Sequence, residues 1–242
     1  MSADASKPVR SRPVIAIDGP AGAGKSTLAA YLARRFGLLN LETGAMYRAF
    51  ALKALESGCP LDEEAPLLAL AGTTVIMLEP QPEGGNRVLL DGREVSRRLR
   101  EPDVTAAASR VSVHPRVRTW MVEQQRKLGL AGGIVMEGRD IGTKVFPDAE
   151  VKIFLDAAPE VRGGRRFRQI APAQDASQKA AEAAVIAELK ERDHRDRTRT
   201  ESPLVAAADA VMLDTTGLTL EQTLTAAEEI VRSHLDGKLS GR

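Results

Sequence analysis

The amino-acid sequence predicts an α/β fold in which a parallel sheet is covered by helices on both faces. Three observations carry that expectation. Short apolar runs rich in β-formers recur along the chain. Helical stretches separate them. The later runs each meet a polar or glycine cluster at the C-terminal end. With 242 residues and a hydrophobic fraction of 43%, the chain supports one sizeable core, with room for small inserted lobes.

The first run, Val14-Ile15-Ala16-Ile17, reads as a short buried parallel strand. It leads into a loop in which Gly19, Gly24, Lys25 and Ser26 fit G-x-x-x-x-G-K-[ST]. A helix follows from Thr27 to Phe36. Leu28, Tyr31, Leu32 and Phe36 lie near one face of it, and Gly37 stops it. Strand, glycine-rich loop and helix N-terminus together form a phosphate cradle, because loop N–H groups and the positive helix end face the same anion. Lys25 adds a point charge near the β/γ-phosphates of a nucleoside triphosphate, and the Ser26 hydroxyl is placed for Mg²⁺.

The remaining elements follow the same alternation. "GLLNLET" (37–43) is a weak strand signal, "GGIVMEGRD" (132–140) a stronger one, and "VKIFLDA" (151–157) and "DAVMLDTT" (209–216) are the clearest. Helices are expected over 105–128, 178–199 and 219–235. The last carries a capping box from Thr219 to Gln222 and apolar Leu220, Leu224, Ile230 and Val231. Ligands of such sheets gather at the carboxyl ends of the strands, which here carry Asp18, Arg139, Asp140, Asp156 and Asp214. Residues 61–104 break the pattern. "TTVIMLEP" and "NRVLLDGREV" flank "QPEGG", a hairpin signal that predicts a small antiparallel lobe inserted into the core.

A second irregular segment runs from 157 to 200, where "VRGGRRFRQ" and "KERDHRDRTR" are dense in arginine. One reading is a solvated helix held by i,i+4 pairs such as Glu188–Arg192 and Asp193–Arg197. That leaves a surplus of arginine. On a helix, Arg192, Arg195, Asp196 and Arg199 share one face, so three guanidinium groups surround one carboxylate. Such a face suits a phosphate, which accepts from the planar fork of an arginine.

Composition narrows the function classes. The 34 basic and 33 acidic residues leave a net charge of +1, and aromatic residues make up 3%, so neither charge nor stacking surface argues for nucleic acid. No apolar run approaches the roughly 18 residues of a membrane span. The single cysteine, Cys59, suits a reducing cytoplasm and reads as a small buried hydrophobe rather than a reactive thiol. "MSADASKPVRSRP" (1–13) reads as a disordered tail.

Five motifs, "IDGPAGAGKST", "ETGAMYRA", "ASRVSVHPRVR", "EGRDIGTKVFPDA" and "KERDHRDRTRTESPL", occur in an order and at distances that resemble the bacterial cytidylate kinases, a family of P-loop nucleoside monophosphate (NMP) kinases. The resemblance runs from about residue 14 to 232, nearly the whole chain. It implies transfer of the γ-phosphate of ATP, with Mg²⁺, to CMP or dCMP in the cytoplasm by a monomer. It implies a P-loop NMP-kinase fold: a five-stranded parallel core from 14–60, 105–156 and 200–242, an NMP-binding insert at 61–104 and an Arg-rich lid at 157–199.

Carried over by residue, the resemblance gives Gly19, Pro20, Ala21, Gly22, Ala23, Gly24, Lys25, Ser26 and Thr27 to ATP, with Ser26 on the metal. Thr43, Arg48, Ser109, Arg116, Arg139, Asp140, Arg192 and Asp196 go to CMP. Lys25, Arg139, Arg192 and Arg199 act on the transferring phosphate. The chemistry agrees: a carboxylate at Asp140 accepts from the cytosine amino group, while Arg116 and the Ser109 hydroxyl donate to the ring acceptors. Uracil would leave those groups mispaired, a penalty of roughly 10⁴-fold at best.

The sequence departs from the family pattern in two places. Glu42 stands where the family has Asp. Gly163-Gly164 falls where helix formers are expected, at about 1 kcal/mol per glycine, which predicts a looser lid. Two alternatives stay open: another small-molecule kinase on the same fold, and a nucleotide-binding regulatory protein.

Overall fold

The computed structural model describes residues 10–81, 85–170 and 178–239. Five parallel strands form the central sheet: β1 (Val14–Asp18), β2 (Leu39–Glu42), β6 (Ile134–Gly138), β7 (Val151–Asp156) and β8 (Val211–Asp214), in the order β2-β6-β1-β7-β8. The first strand is fully buried, and its side chains alternate between two cores. Val14 and Ala16 join the core on one face, Ile15 and Ile17 the core on the other. Each of those two isoleucines contributes about 1.5–3 kcal/mol by leaving water.

The helices divide accordingly. Helix α1 (Lys25–Phe36) and helix α8 (Leu220–Leu239) cover one face. Glu228 of α8 accepts from Tyr31 Oη at 2.7 Å and from Arg35 Nε at 2.9 Å, which ties the two helices together. Gly37 ends α1 with φ 63°, as predicted. The predicted capping box opens α8: Thr219 N–H donates to Gln222 Oε1 and Gln222 N–H to Thr219 Oγ1. Leu220, read as part of the apolar stripe, is 61% exposed at the first turn, and Ala227 is buried instead.

The other face carries α2 (Thr43–Glu56), α4 (Pro102–Val111) and α5 (Pro115–Gly129). The single helix expected over 105–128 is therefore two. Pro115 forces the preceding residue out of the helical region, and His114 sits at φ −73°, ψ 120°. Residues 61–104 contain α3 (Glu64–Ala71) and an antiparallel sheet of β3 (Ile76–Pro80), β4 (Asn86–Leu90) and β5 (Arg93–Glu94), the last strand not foreseen. Cys59 is half-buried against the core, and burial pushes its thiol up.

Of the tail expected over 1–13, residues 1–9 lie outside the described ones, and residues 10–13 are placed. Arg10 is placed: it pairs with Asp148 at 2.5 Å and stacks over the Phe146 ring at 5.3 Å. The Pro13 carbonyl accepts from Gly133 N–H.

The Arg-rich segment forms two helices, α6 (Pro159–Ile170) and α7 (Gln178–Thr198). Most of the joining segment, "IAPAQDASQ", lies outside the described residues. The looseness expected at Gly163-Gly164 gives way to close packing. A Cβ on Gly163 would stand 2.2 Å from Ile186 Cγ1, so its absence lets α6 and α7 approach. The expected i,i+4 pairing of Asp193 with Arg197 does not form. Asp193 meets Arg162 across the two helices at 2.6 Å, and Arg197 reaches Asp156 at 3.7 Å. The face of Asp196 is not a solvated one. Asp196 is 7% exposed and meets Arg139, in the turn after β6, at 2.9 Å.

Candidate active site

The site lies at the carboxyl ends of β1 and β6, which pair in register from Val14↔Ile134 to Asp18↔Gly138. The phosphate loop leaves β1 at Gly19, whose φ is 148° and whose absent Cβ would lie 2.0 Å from the Leu155 carbonyl oxygen. Any side chain there would drive the loop off β7. Gly24 caps α1 with no side chain, and the first turn of α1 holds no acidic residue, so its free N–H groups face an incoming anion. Lys25 is buried, with Nζ donating to the Pro20 carbonyl at 2.7 Å. Burial, then Arg139, lower its amine to about 7, while Glu137 and Asp18 act in the opposite direction.

Two buried carboxyls lie beside Lys25: Asp18, which the sequence placed among the strand-end groups, and Glu137, which it did not single out. Asp18 accepts from Ile141 N–H at 2.8 Å and Gly142 N–H at 2.7 Å, and burial pushes it up to about 6. It thereby ties the phosphate loop to the π-helical turn Ile141–Val145 that follows Asp140. Glu137 is raised by burial and by Glu42, while Lys25 and the Ser26 hydroxyl act in the opposite direction. Its Oε1 is buried without a protein partner. Among the described residues no cluster of three or more His, Cys, Asp or Glu could hold a metal by itself. The Ser26 hydroxyl and the Glu137 carboxyl suit an ion that arrives with phosphates and keeps part of its water shell.

Arg139 and Asp140 point to different partners from the turn that follows the end of β6 at Gly138. Arg139 Nε reaches Asp196 of α7 at 2.9 Å. Asp196 also meets Arg199 Nη1 at 3.2 Å. Burial opposes its charge, but Arg139, Arg199 and Arg192 together hold its carboxyl below the usual range. Arg192 is brought down to about 10 by burial and by Arg139. Arg48 pairs with Glu42 and lies within electrostatic reach of Arg192. Arg48 Nε, Arg192 Nε and Arg199 Nη2 are buried with no protein partner. Such donors are costly to leave unpaired, and an oxyanion would satisfy them.

The base-reading expectation needs a correction. Arg116 is exposed, and its backbone N–H donates to Glu64 at 2.7 Å. The arginine at Asp140 is Arg118, which is 2% exposed and whose Nη2 meets Asp140 Oδ2 at 2.6 Å. Its Nη1 donates to the Ser112 carbonyl at 3.2 Å, and its guanidinium lies over the Tyr47 ring at 5.5 Å. A signal existed in the sequence. Arg118 shares the face of Met121, Val122 and Gln125, all buried, whereas Arg116 lies off it. Ser109 is buried on α4. Thr43 is buried too, with its hydroxyl donating to the Glu137 carbonyl at 2.7 Å. His114 bonds the Leu61 carbonyl, and Asp214 accepts from Thr216, so neither enters the site.

Arg162, left without a role by its sequence context, is buried and joins three segments. It donates to the carbonyls of Ala157 and Ala21 at 2.8 Å each and pairs with Asp193. The phosphate loop is thus held from the lid side.

Comparison with known proteins gives the family. A family model described as cytidylate kinase matches residues 15–233. The chain is 48% identical over 218 residues to a cytidylate kinase of Enterococcus faecalis, covering 90% of this chain and 95% of that one. It is 47% identical over 216 residues to one from Pelotomaculum thermopropionicum, covering 89% and 94%. Among solved structures, a gluconokinase from Sinorhizobium meliloti aligns at TM-score 0.46 and 14% identity over 97% of this chain and 100% of that one. The chain belongs to the cytidylate kinase family.

Proposed function

We infer that this chain transfers the γ-phosphate of ATP to CMP or dCMP, giving ADP and CDP or dCDP. The observation that carries the reading is the buried Asp140–Arg118 pair, set beside an arginine cluster one strand away from the phosphate loop. Asp140 Oδ2 is committed to Arg118, so Oδ1 is left to accept from the cytosine amino group. Arg118 Nε, buried without a protein partner, and the Ser109 hydroxyl donate to the ring acceptors. Arg118 thus takes the role first expected of Arg116.

Gly19 to Thr27 bind ATP, and Lys25 neutralises the β- and γ-phosphates. Arg48 and Arg139 hold the acceptor phosphate. Arg192 and Asp196 meet the ribose side, and Arg199 meets the phosphate in flight. Ser26 and Glu137 would hold Mg²⁺, which would supply further neutralisation of the β/γ charge. The transfer needs in-line geometry and exclusion of water rather than a strong base. The insert at 61–104 and the lid at 157–199 provide that enclosure by closing over CMP and ATP. Every residue invoked comes from one chain, so a monomer suffices, and a single cysteine suits the cytoplasm.

Asp140→Asn tests the reading. With the amide oxygen kept by Arg118, the N–H₂ replaces Oδ1 and offers a donor to O4 of uracil. The CMP-over-UMP ratio of kcat/KM falls by roughly 1–3 kcal/mol of discrimination, chiefly through loss of CMP. Equal slowing of both acceptors would remove Asp140 from base recognition.

A further inference from the structure

The outer edge of β2 is the free edge of the central sheet on the acceptor side, and one side chain of the inserted lobe occupies it. Asn86 opens β4, in the antiparallel sheet. Its Nδ2 donates to the Asn40 carbonyl at 2.7 Å, and its Oδ1 accepts from the Glu42 N–H at 2.9 Å. Those two backbone groups flank Leu41. They are the pair that one residue of a sixth parallel strand, opposite Leu41, would bond, its N–H giving to residue 40 and its C=O taking from residue 42. The carboxamide of Asn86 therefore stands in for the N–H and C=O of one residue of a missing strand. It satisfies both polar groups where the edge would otherwise be open.

This joint is consequential because the next residues of the chain face the acceptor. Glu42 pairs with Arg48, and Thr43 begins α2 and donates its hydroxyl to the Glu137 carbonyl. So the amide fixed by Asn86 belongs to the residue that orients Arg48, and it lies one residue from the start of the acceptor-side helix. Lateral freedom of the β2–α2 turn would move Arg48 and Thr43 together, but not the loop at Gly19–Thr27, which leaves a different strand. We infer that Asn86 is a positioning residue for the acceptor phosphate: it docks the inserted lobe on β2 and so sets Glu42, Arg48 and Thr43 in place. This rests on the reading of Arg48 as an acceptor-phosphate arginine. Nothing in the hairpin sequence signalled it, because the bond joins residues 44 and 46 apart in the chain.

The test pairs steady-state kinetics with amide exchange in the unliganded enzyme. Asn86→Ala removes both bonds. The Glu42 amide then exchanges at least about tenfold faster, as for an edge group released to local opening. KM for CMP rises at least about fivefold, on the scale of a remote misplacement, while KM for ATP stays within about twofold. Asn86→Asp, isosteric and still able to accept from Glu42 N–H, keeps that amide slow and loses only the bond to Asn40. It provides the same comparison if the alanine variant fails to fold, with KM for CMP again rising alone. Arg48→Ala is measured alongside. If it leaves KM for CMP unchanged, the acceptor-phosphate reading fails and this proposal falls with it. If Arg48→Ala raises KM for CMP but the Asn86 variants leave it alone, or raise both KM values alike, Asn86 serves only the fold and the proposal is overturned by itself.

Discussion

At the scale of single residues, two arginines separated by one residue divide sharply. Removing Arg118 leaves Asp140 buried and uncompensated, so Arg118→Met destabilises the fold by about 3–5 kcal/mol. Arg116→Ala, on an exposed side chain, stays within about 0.5 kcal/mol. Urea unfolding of the two variants checks the pair, and a large loss in Arg116→Ala would reverse the assignment. Lys25 gives a second prediction. Its folded amine sits near 7 against an ordinary 10.5. The unfolded chain therefore binds the proton more readily between those values, and stability from this group rises with pH across that window. ATP phosphates restore the cation, so ATP binding takes up a proton above about pH 7 and weakens as pH rises further. Calorimetry in two buffers of different ionisation enthalpy at about pH 8 reads that uptake. Lys25→Arg, always charged, abolishes it, and equal heats for the unaltered enzyme in both buffers would contradict it. The phosphate-loop residues were legible because their spacing is local. Asp18 was legible only as a strand-end group and Glu137 not at all, because a carboxyl ending an apolar run reads equally as a strand-end cap.

At the scale of elements, the five strands of the central sheet and helices α1, α7 and α8 followed from apolar runs and stop signals, while α2, α3 and β5 did not. The exceptions have physical causes. Pro115 divides a helix that periodicity alone would continue. Gly163 and Gly164 weaken a helix by propensity, yet Gly163 permits the close approach of α6 to α7, which depends on a residue more than twenty positions away. The two glycines should therefore differ. Gly163→Ala sets a Cβ against Ile186 and destabilises by about 1–3 kcal/mol. Gly164→Ala meets only the end of the Glu182 side chain at 3.1 Å and gains up to about 1 kcal/mol of helix propensity. Thermal unfolding of both variants decides it, and equal effects would mean that the contact of α6 with α7 does not limit this position. The ion pairs of α7 were misread for the same reason. Asp193 has a partner on its own helix by spacing and a better-placed one, Arg162, across the contact.

At the scale of the whole molecule, the order of the parallel strands brings the phosphate loop after β1 beside the Arg139–Asp140 turn after β6, and the lid crosses from β7 to β8 over both. Alternation of strands and helices was enough to foresee that the ligands would gather at this sheet end. It could not foresee which arginines face inward, since that depends on packing between segments far apart in the chain. We propose that these parts form one site that hands a phosphate from ATP to a cytosine nucleotide. The direct measurement is the rate of ADP release from ATP with CMP, dCMP, UMP, AMP or no acceptor. The expected result is fast release with CMP and dCMP, much slower release with UMP and AMP, and almost none without an acceptor, because a closed site keeps water from the γ-phosphate. Release as fast without an acceptor as with CMP, or faster with AMP than with CMP, would contradict it.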